Sequence, residues 1–165
     1  MFDCLVDGEI TDRVSASDRG LHFGDGLFET IAVRSGQPRF WQGHMDRLAA
    51  GCERLGLVTP PQALLLRELQ TISAGRGDCT VKIILTRKGS SASHTLHKPA
   101  ETNRIVCVYG WPDTPVELTT TGIQVRICDL RLGIQPAFAG IKHLTRLEQV
   151  MARDEWNDPS IHEGL

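Results

Sequence analysis

The sequence predicts an α+β fold, with strands, two helices, further strands and a last helix following one another along 165 residues. Three observations carry that prediction. β-rich runs punctuated by Gly and Asp recur at 4–6, 27–33, 81–86, 104–109 and 123–128. Two stretches between residues 45 and 72 carry apolar residues at three- and four-residue spacing. Strands and helices come in blocks, not in the regular alternation of a doubly wound sheet.

Cys4-Leu5-Val6 is an apolar run closed by Asp7-Gly8, a strong turn signal. Leu27 to Val33 is a strand entered through Gly24-Asp25-Gly26, and Ser35-Gly36 turns it into Arg39-Phe40-Trp41, which reads as a hairpin. Met45, Leu48, Ala49, Cys52 and Leu55 share one face of a helix, with Gly56 as its left-handed cap and Leu57 folding back on it. A second helix is expected from Thr59 as N-cap, with Pro60 in the first turn and Gln62 completing a capping box. Leu65, Leu66, Leu69 and Ile72 form its buried face, and Gly75 ends it. Val81–Thr86, Arg104–Tyr109 and Ile123–Cys128 are strands, the first two separated by a polar, mobile loop from Lys88 to Thr102. Trp111-Pro112-Asp113-Thr114-Pro115 reads as a connector between domains, and a final helix runs from about Thr145 to Trp156 with Leu147, Val150 and Met151 on its apolar side.

Composition narrows the function classes. A net charge of -2 gives no footing for nucleic acid or an anionic membrane, and no apolar run is long enough to span a bilayer. The opening Met1-Phe2-Asp3-Cys4-Leu5 lacks the basic and apolar regions of a secretory signal. The five cysteines are odd in number and widely spaced, without a CxxC pair. This disfavours a zinc site or a disulfide framework, and most are expected as small buried hydrophobes in a reducing cytoplasm. Only Lys82, Lys88, Lys98 and Lys142 offer an amine nucleophile.

Of these, Lys142 sits in Phe138-Ala139-Gly140-Ile141-Lys142-His143-Leu144, among small and apolar neighbours. Burial there would favour the reactive neutral amine that bonds carbonyl cofactors; the plainer alternative is a strand-end lysine whose head reaches water. Arg47, near the start of the first helix, has the two-pronged geometry that binds phosphate, or it is a solvated arginine on the polar face. Gly24 and Gly26 admit close backbone approach to a ligand, or make a tight turn. Glu29 is expected in a salt bridge, and Arg146-Leu147-Glu148 as helix-surface charge.

Taken together, Ser17-Asp18-Arg19-Gly20, Phe23-Gly24-Asp25-Gly26-Leu27-Phe28-Glu29-Thr30 and His44-Met45-Asp46-Arg47-Leu48 resemble the N-terminal domain of the fold-type IV pyridoxal-phosphate enzymes. These include aminodeoxychorismate lyases and the branched-chain and D-amino acid aminotransferases. The stretch Ala139-Gly140-Ile141-Lys142-His143-Leu144-Thr145-Arg146-Leu147-Glu148-Gln149-Val150 is similar to the lysine motif of the lyase branch, and Arg131-Leu132-Gly133 fits upstream of it. The resemblance implies a D-amino acid aminotransferase-like architecture: an N-terminal α+β domain over 1–110, a connector over 111–120 and the beginning of the cofactor-binding domain over 121–165.

The resemblance also implies roles. Lys142 would bond pyridoxal 5'-phosphate covalently and then serve as acid and base. Arg47 would hold the cofactor phosphate, and Phe28, Thr30 and the Phe23–Gly26 turn would lie near the pocket. The implied activity is the lyase reaction, 4-amino-4-deoxychorismate to 4-aminobenzoate and pyruvate, on the way to folate. The alternatives are a fold-type IV aminotransferase or a non-catalytic dimerisation module. A small-molecule substrate, a homodimer, a cytoplasmic location and no metal go with the same resemblance. Family members continue past Leu165, where the acidic partner of the pyridine nitrogen and further phosphate-binding groups are expected. The loop Lys88-Gly89-Ser90-Ser91-Ala92-Ser93-His94 departs from relatives that carry an Arg-Gly-Tyr sequence there.

Overall fold

The structure, a computed structural model, describes residues 3–112 and 115–165. Met1, Phe2, Asp113 and Thr114 lie outside the described residues, and with them the first two residues of the chain and part of the expected connector. The chain forms two compact units, one of Met1–Pro112 with Gly140–Thr145, the other of Asp113–Ala139 with Arg146–Leu165.

In chain order the first unit contains β1 (Asp3–Val6), β2 (Glu9–Ile10), α1 (Arg19–Phe23), β3 (Gly26–Arg34), β4 (Gln37–Pro38), α2 (Trp41–Leu55), α3 (Gln62–Ser73), β5 (Cys79–Arg87) and β6 (Thr102–Gly110). Its strands form one antiparallel sheet in the order β2-β1-β6-β5-β3-β4. β3 shows why the sequence settles as it does: Leu27, Glu29, Ile31 and Val33 are buried, whereas Phe28, Thr30, Ala32 and Arg34 are half-buried or exposed, so alternate residues serve opposite faces. The buried set joins Met45, Leu48 and Cys52 of α2 and Leu65, Leu69 and Ile72 of α3 in a single apolar core. Gly56, at φ 67°, ends α2 in the left-handed region, and Leu57 N–H returns to the Cys52 carbonyl at 2.8 Å, the cap expected from Gly56-Leu57.

Several expectations need correction. Trp41 begins α2, so Arg39-Phe40-Trp41 is not a strand; the return strand is only Gln37–Pro38, and Phe40 stands at φ 53° as the residue that opens the helix. Thr59 does not cap α3. Pro61 holds that position, its carbonyl accepting from Leu64 and Leu65 N–H, while Thr59 hydrogen-bonds the Cys52 thiol. Burial pushes that thiol's pKa up, with Thr59 opposing. Helix α1 escaped the periodicity reading because five residues are too few to show a period. Its ends are nonetheless written in the sequence, since Asp18 accepts from Gly20 and Leu21 N–H and Gly24 closes it in the left-handed region.

The cysteines also differ from expectation. Cys4 and Cys107 form a disulfide, whereas Cys52, Cys79 and Cys128 are unpaired and buried. The antiparallel register of β1 and β6 sets Cys4 directly opposite Cys107, with Cα atoms 4.2 Å apart. A pairing across 103 residues of sequence leaves no local spacing signal.

The second unit holds α4 (Leu118–Thr121), β7 (Gln124–Arg126), α5 (Leu147–Arg153) and β8 (Ile161–Gly164), with β7 and β8 parallel. Cys128 and Trp156 are buried, and a Cβ on Gly164 would come within 2.8 Å of the Trp156 ring. The expected strand 123–128 shortens to Gln124–Arg126, and the helix expected over 145–156 to Leu147–Arg153. Its apolar side, Leu147, Val150 and Met151, is exposed. Among the described residues no helix is long and apolar enough to cross a membrane.

Candidate active site

The lysine segment is fastened to β3 by backbone pairing. Phe28 N–H donates to the Lys142 carbonyl at 2.9 Å, and Leu144 N–H donates to the Gly26 carbonyl at 3.0 Å, which makes Leu27 and His143 an antiparallel bridge. Ile141 is buried in the core just before it. This attachment explains the two glycines. A Cβ on Gly26 would stand 2.2 Å from the Leu85 carbonyl oxygen and 2.8 Å from Leu144 Cδ1. Gly24, at φ 64°, lies against Thr145, whose Oγ1 would be 2.9 Å from an added Cβ. The close approach that these glycines permit is therefore to the β5 backbone and Leu144 at Gly26, and to Thr145 at Gly24.

The half-buried Lys142 reaches back over the strand that holds it. Its Nζ stands 4.4 Å from the centre of the Phe28 ring. Lys82 of β5 places its Nζ 4.8 Å from the same ring, because Ile84 pairs with Phe28 and Lys82 with Thr30 in the sheet register. Two lysine amines thus lie within 5 Å of the centre of one aromatic ring. Lys82 was one of only four lysines in the sequence, but without the strand register nothing marked it as a neighbour of Lys142.

Arg47 meets the same strand one residue further on. Its Nε and Nη2 donate to the two carboxylate oxygens of Glu29 at 2.7 and 2.6 Å, the parallel two-bond geometry of a strong arginine–carboxylate pair. That bonding raises the Arg47 pKa. His44 Nδ1 lies 2.7 Å from Glu29 Oε2, so Glu29, with no exposed surface, is held by two partners from α2. Arg47 sits in the second turn of the helix, not at its start, and its side chain is about half exposed. Phe28 and Glu29 are consecutive residues on opposite faces of β3. One strand therefore positions both residues singled out in the sequence, Lys142 through Phe28 and Arg47 through Glu29.

Sequence reasoning missed a second buried ionic group. Asp25 Oδ2 accepts from Arg19 Nε and from Arg87 Nε, each at 2.9 Å. Both arginines are buried. Arg19 Nη1 also donates to the carbonyls of Ser90 and Ser93, at 2.7 and 2.8 Å, and Arg87 Nη2 to that of Leu55 at 2.7 Å. The Ser17-Asp18-Arg19 and Gly24-Asp25-Gly26 motifs therefore tie the 88–101 loop to the sheet. The expected mobile loop is anchored at its first part.

The sequence matches the family described as amino-transferase class IV over residues 26–165. An aminodeoxychorismate lyase from Vibrio harveyi is 32% identical over 154 residues, covering 91% of this chain and 55% of that protein. The crystal structure of 4-amino-4-deoxychorismate lyase from Pseudomonas aeruginosa superposes with a TM-score of 0.90 at 42% identity, covering 98% of this chain and 60% of the other. A hypothetical aminotransferase from Mycobacterium tuberculosis, in its PLP-bound form, has a TM-score of 0.69 at 21% identity over 93% of this chain and 59% of its own; it shares the fold. The chain thus spans a little over half the length of the relatives it matches. The fold is that of the fold-type IV pyridoxal-phosphate enzymes. From this match and these likenesses, the chain belongs to the amino-transferase class IV family.

Proposed function

We propose that this chain carries the cofactor lysine and the phosphate-binding arginine of an aminodeoxychorismate lyase. Its substrate would be 4-amino-4-deoxychorismate and its products 4-aminobenzoate and pyruvate, a step toward folate. The observation that carries the reading is the pairing of the 142–144 segment with β3, which holds the Lys142 amine over Phe28 while the next residue, Glu29, fixes Arg47. The 42% identity to the Pseudomonas aeruginosa lyase favours the lyase branch over the aminotransferases.

The residues present fit pyridoxal 5'-phosphate. Lys142 offers a half-buried amine beside an aromatic ring, and Arg47 offers a half-exposed guanidinium oriented by Glu29 through Nε and Nη2. When bound, the cofactor supplies an electron sink for the carbon that bears the substrate amine. Lys142 Nζ is the group that would take the proton from that carbon, and loss of the three-carbon side chain as pyruvate leaves an aromatic ring. Phe28 supports the amine from below and limits its contact with water. A homodimer and a cytoplasmic location accompany this reading; sedimentation of the purified chain tests the first.

The experiment is a titration with pyridoxal 5'-phosphate followed by visible absorbance, on the parent and on Lys142→Ala. The reading expects the band of the lysine-bound cofactor in the parent and its loss in the variant. A parent that gains no such band, or a variant that keeps it, removes Lys142 from the role. D-Alanine with 2-oxoglutarate is the discriminating substrate pair: amino transfer without 4-aminobenzoate formation would move the chain to the aminotransferase branch.

A further inference from the structure

The Cys4–Cys107 disulfide lies on the face of the sheet turned away from α2 and α3. Leu5 and Val106, each next in sequence to one of the cysteines, belong to the core that these helices cover, and successive residues of a strand face opposite ways. The same register runs across four strands. Thr30 is opposite Lys82, Lys82 opposite Cys107, and Cys107 opposite Cys4, so these side chains stand in one row. Neighbouring strands are about 4.8 Å apart, which puts both sides of the row within reach of a lysine side chain. Lys82 thus has the disulfide on one side and, on the other, the uncharged Phe28 ring over which its amine stands.

Two properties set this disulfide apart from a plain staple. Its halves stay together without the bond. β1 is paired with β6 from Asp3 opposite Val108 to Val6 opposite Ile105, Asp7 N–H donates to the Arg104 carbonyl at 2.8 Å, and Leu5 is buried in the core. Two thiols left by reduction would face each other from fixed strands, so reclosure is an oriented, intramolecular step. The two sulfurs are also unequal. Cys4 is half-buried, whereas Cys107 is only 7% exposed, so an attacking thiolate meets Cys4 first. The electron pair of the broken bond then falls to Cys107. The residues that share the face of Cys107 on β5 and β6 are Thr80, Lys82, Ile84, Ile105 and Tyr109, of which Lys82 is the charged one. An ammonium beside a thiol favours its thiolate and makes that sulfur the better leaving group.

We propose that Cys4 and Cys107 are a reversible redox site, opened by a low-molecular-weight thiol and closed by the corresponding disulfide, with Lys82 as the residue that stabilises the Cys107 thiolate. In opening, a thiolate attacks Cys4 Sγ, a mixed disulfide forms there, and the Cys4–Cys107 bond breaks to release the Cys107 thiolate. A second thiolate attacks the outer sulfur of the mixed disulfide, frees Cys4 and leaves as the small disulfide. Two electrons pass from the two small thiols to the cysteine pair, and closing reverses the same steps. In the open form the Lys82 ammonium turns from Phe28 to the Cys107 thiolate. The state of the pair therefore sets whether one lysine amine or two lie against the ring that Lys142 shares.

The test is equilibration of the folded full chain in glutathione buffers of different ratio, followed by acid quenching, denaturation, alkylation and intact mass. The parent is expected to move reversibly between three labelled cysteines and five, since Cys52, Cys79 and Cys128 are free throughout. Lys82→Met should slow opening by roughly 3- to 10-fold through the poorer leaving group, and Lys82→Arg should restore most of the rate. Circular dichroism verifies that both variants are folded. Acetylation of Lys82 by an activated ester, read by peptide mass, should be slower in the open form than in the closed form, and Cys107→Ser should remove that difference. A parent that keeps three labels until it is denatured is a staple only and overturns the proposal, as does a parent that holds five labels in oxidised glutathione. A folded Lys82→Met that opens at the parental rate, or Lys82 acetylation that ignores the redox state, overturns the role of Lys82. None of these measurements uses pyridoxal 5'-phosphate, so this inference and the cofactor reading of Lys142 fail separately.

Discussion

Glu29 is a carboxylate without exposed surface, so its charge depends on Arg47 and His44. Removing one partner of a buried pair leaves the other partner's desolvation uncompensated. Arg47→Met should therefore destabilise the fold by about 1–3 kcal/mol, held below the fully buried case because the Arg47 side chain is about half exposed. Adding Glu29→Gln to Arg47→Met should recover part of that loss, since a neutral amide costs less to bury than an unpaired carboxylate. Urea unfolding of the parent, the single variant and the double variant measures both effects. If Arg47→Met unfolds at the parent's midpoint, Glu29 does not depend on it. Arg47 would then be oriented by something other than this pair.

At the scale of elements, the Gly24-Asp25-Gly26 turn joins the lysine segment to the sheet. Gly26→Ala would place a methyl group 2.2 Å from the Leu85 carbonyl and 2.8 Å from Leu144. Backbone cannot yield as a flexible side-chain tip can, so either β5 or the 142–144 segment has to move. The variant should lose roughly 1–3 kcal/mol of stability, within the range for overpacking, and should lose the cofactor absorbance band more completely than its stability. A variant that keeps a parental band would show that the lysine segment tolerates displacement from β3. The elements that were readable in the sequence are those whose signals are local. Helix α2 showed in the spacing of Met45, Leu48 and Cys52, its end in Gly56, and β3 in the alternation from Leu27 to Val33. Signals that need distant partners were not readable. Asp25 gathers Arg19 from six residues away and Arg87 from 62, and Cys4 finds Cys107 only through the β1–β6 register. The Thr59 capping box failed because α3 begins at Gln62 with Pro61 at the cap position, two residues beyond Thr59. Lys142 and Arg47 were singled out through motif resemblance. What joins them to consecutive residues of one strand was visible only after folding.

At the scale of the molecule, the two units differ in how much they bury. The first encloses an apolar core of Leu, Ile, Val and Met side chains between α2, α3 and a six-stranded sheet. The second has a two-stranded parallel pair, a seven-residue helix whose Leu147, Val150 and Met151 are exposed, and buried Cys128 and Trp156. A parallel pair of this length has little apolar cover, and the opening free energy of a backbone hydrogen bond follows the burial around it. Lys142 belongs to the first unit although residues 113–139 of the second precede it. Native-state hydrogen exchange should therefore show two behaviours along the chain. Amides of β3, β5 and β6 should exchange near the global unfolding limit, those of 124–126 and 147–153 faster by at least about 100-fold, and Phe28 and Leu144, the donors that fasten the lysine segment, with the sheet. Slow exchange throughout 124–126 and 147–153 would mean that the second unit shares the core's cooperativity. Fast exchange at Phe28 and Leu144 alone would count against the functional reading, because an amine whose backbone anchors open readily is not held in place over Phe28.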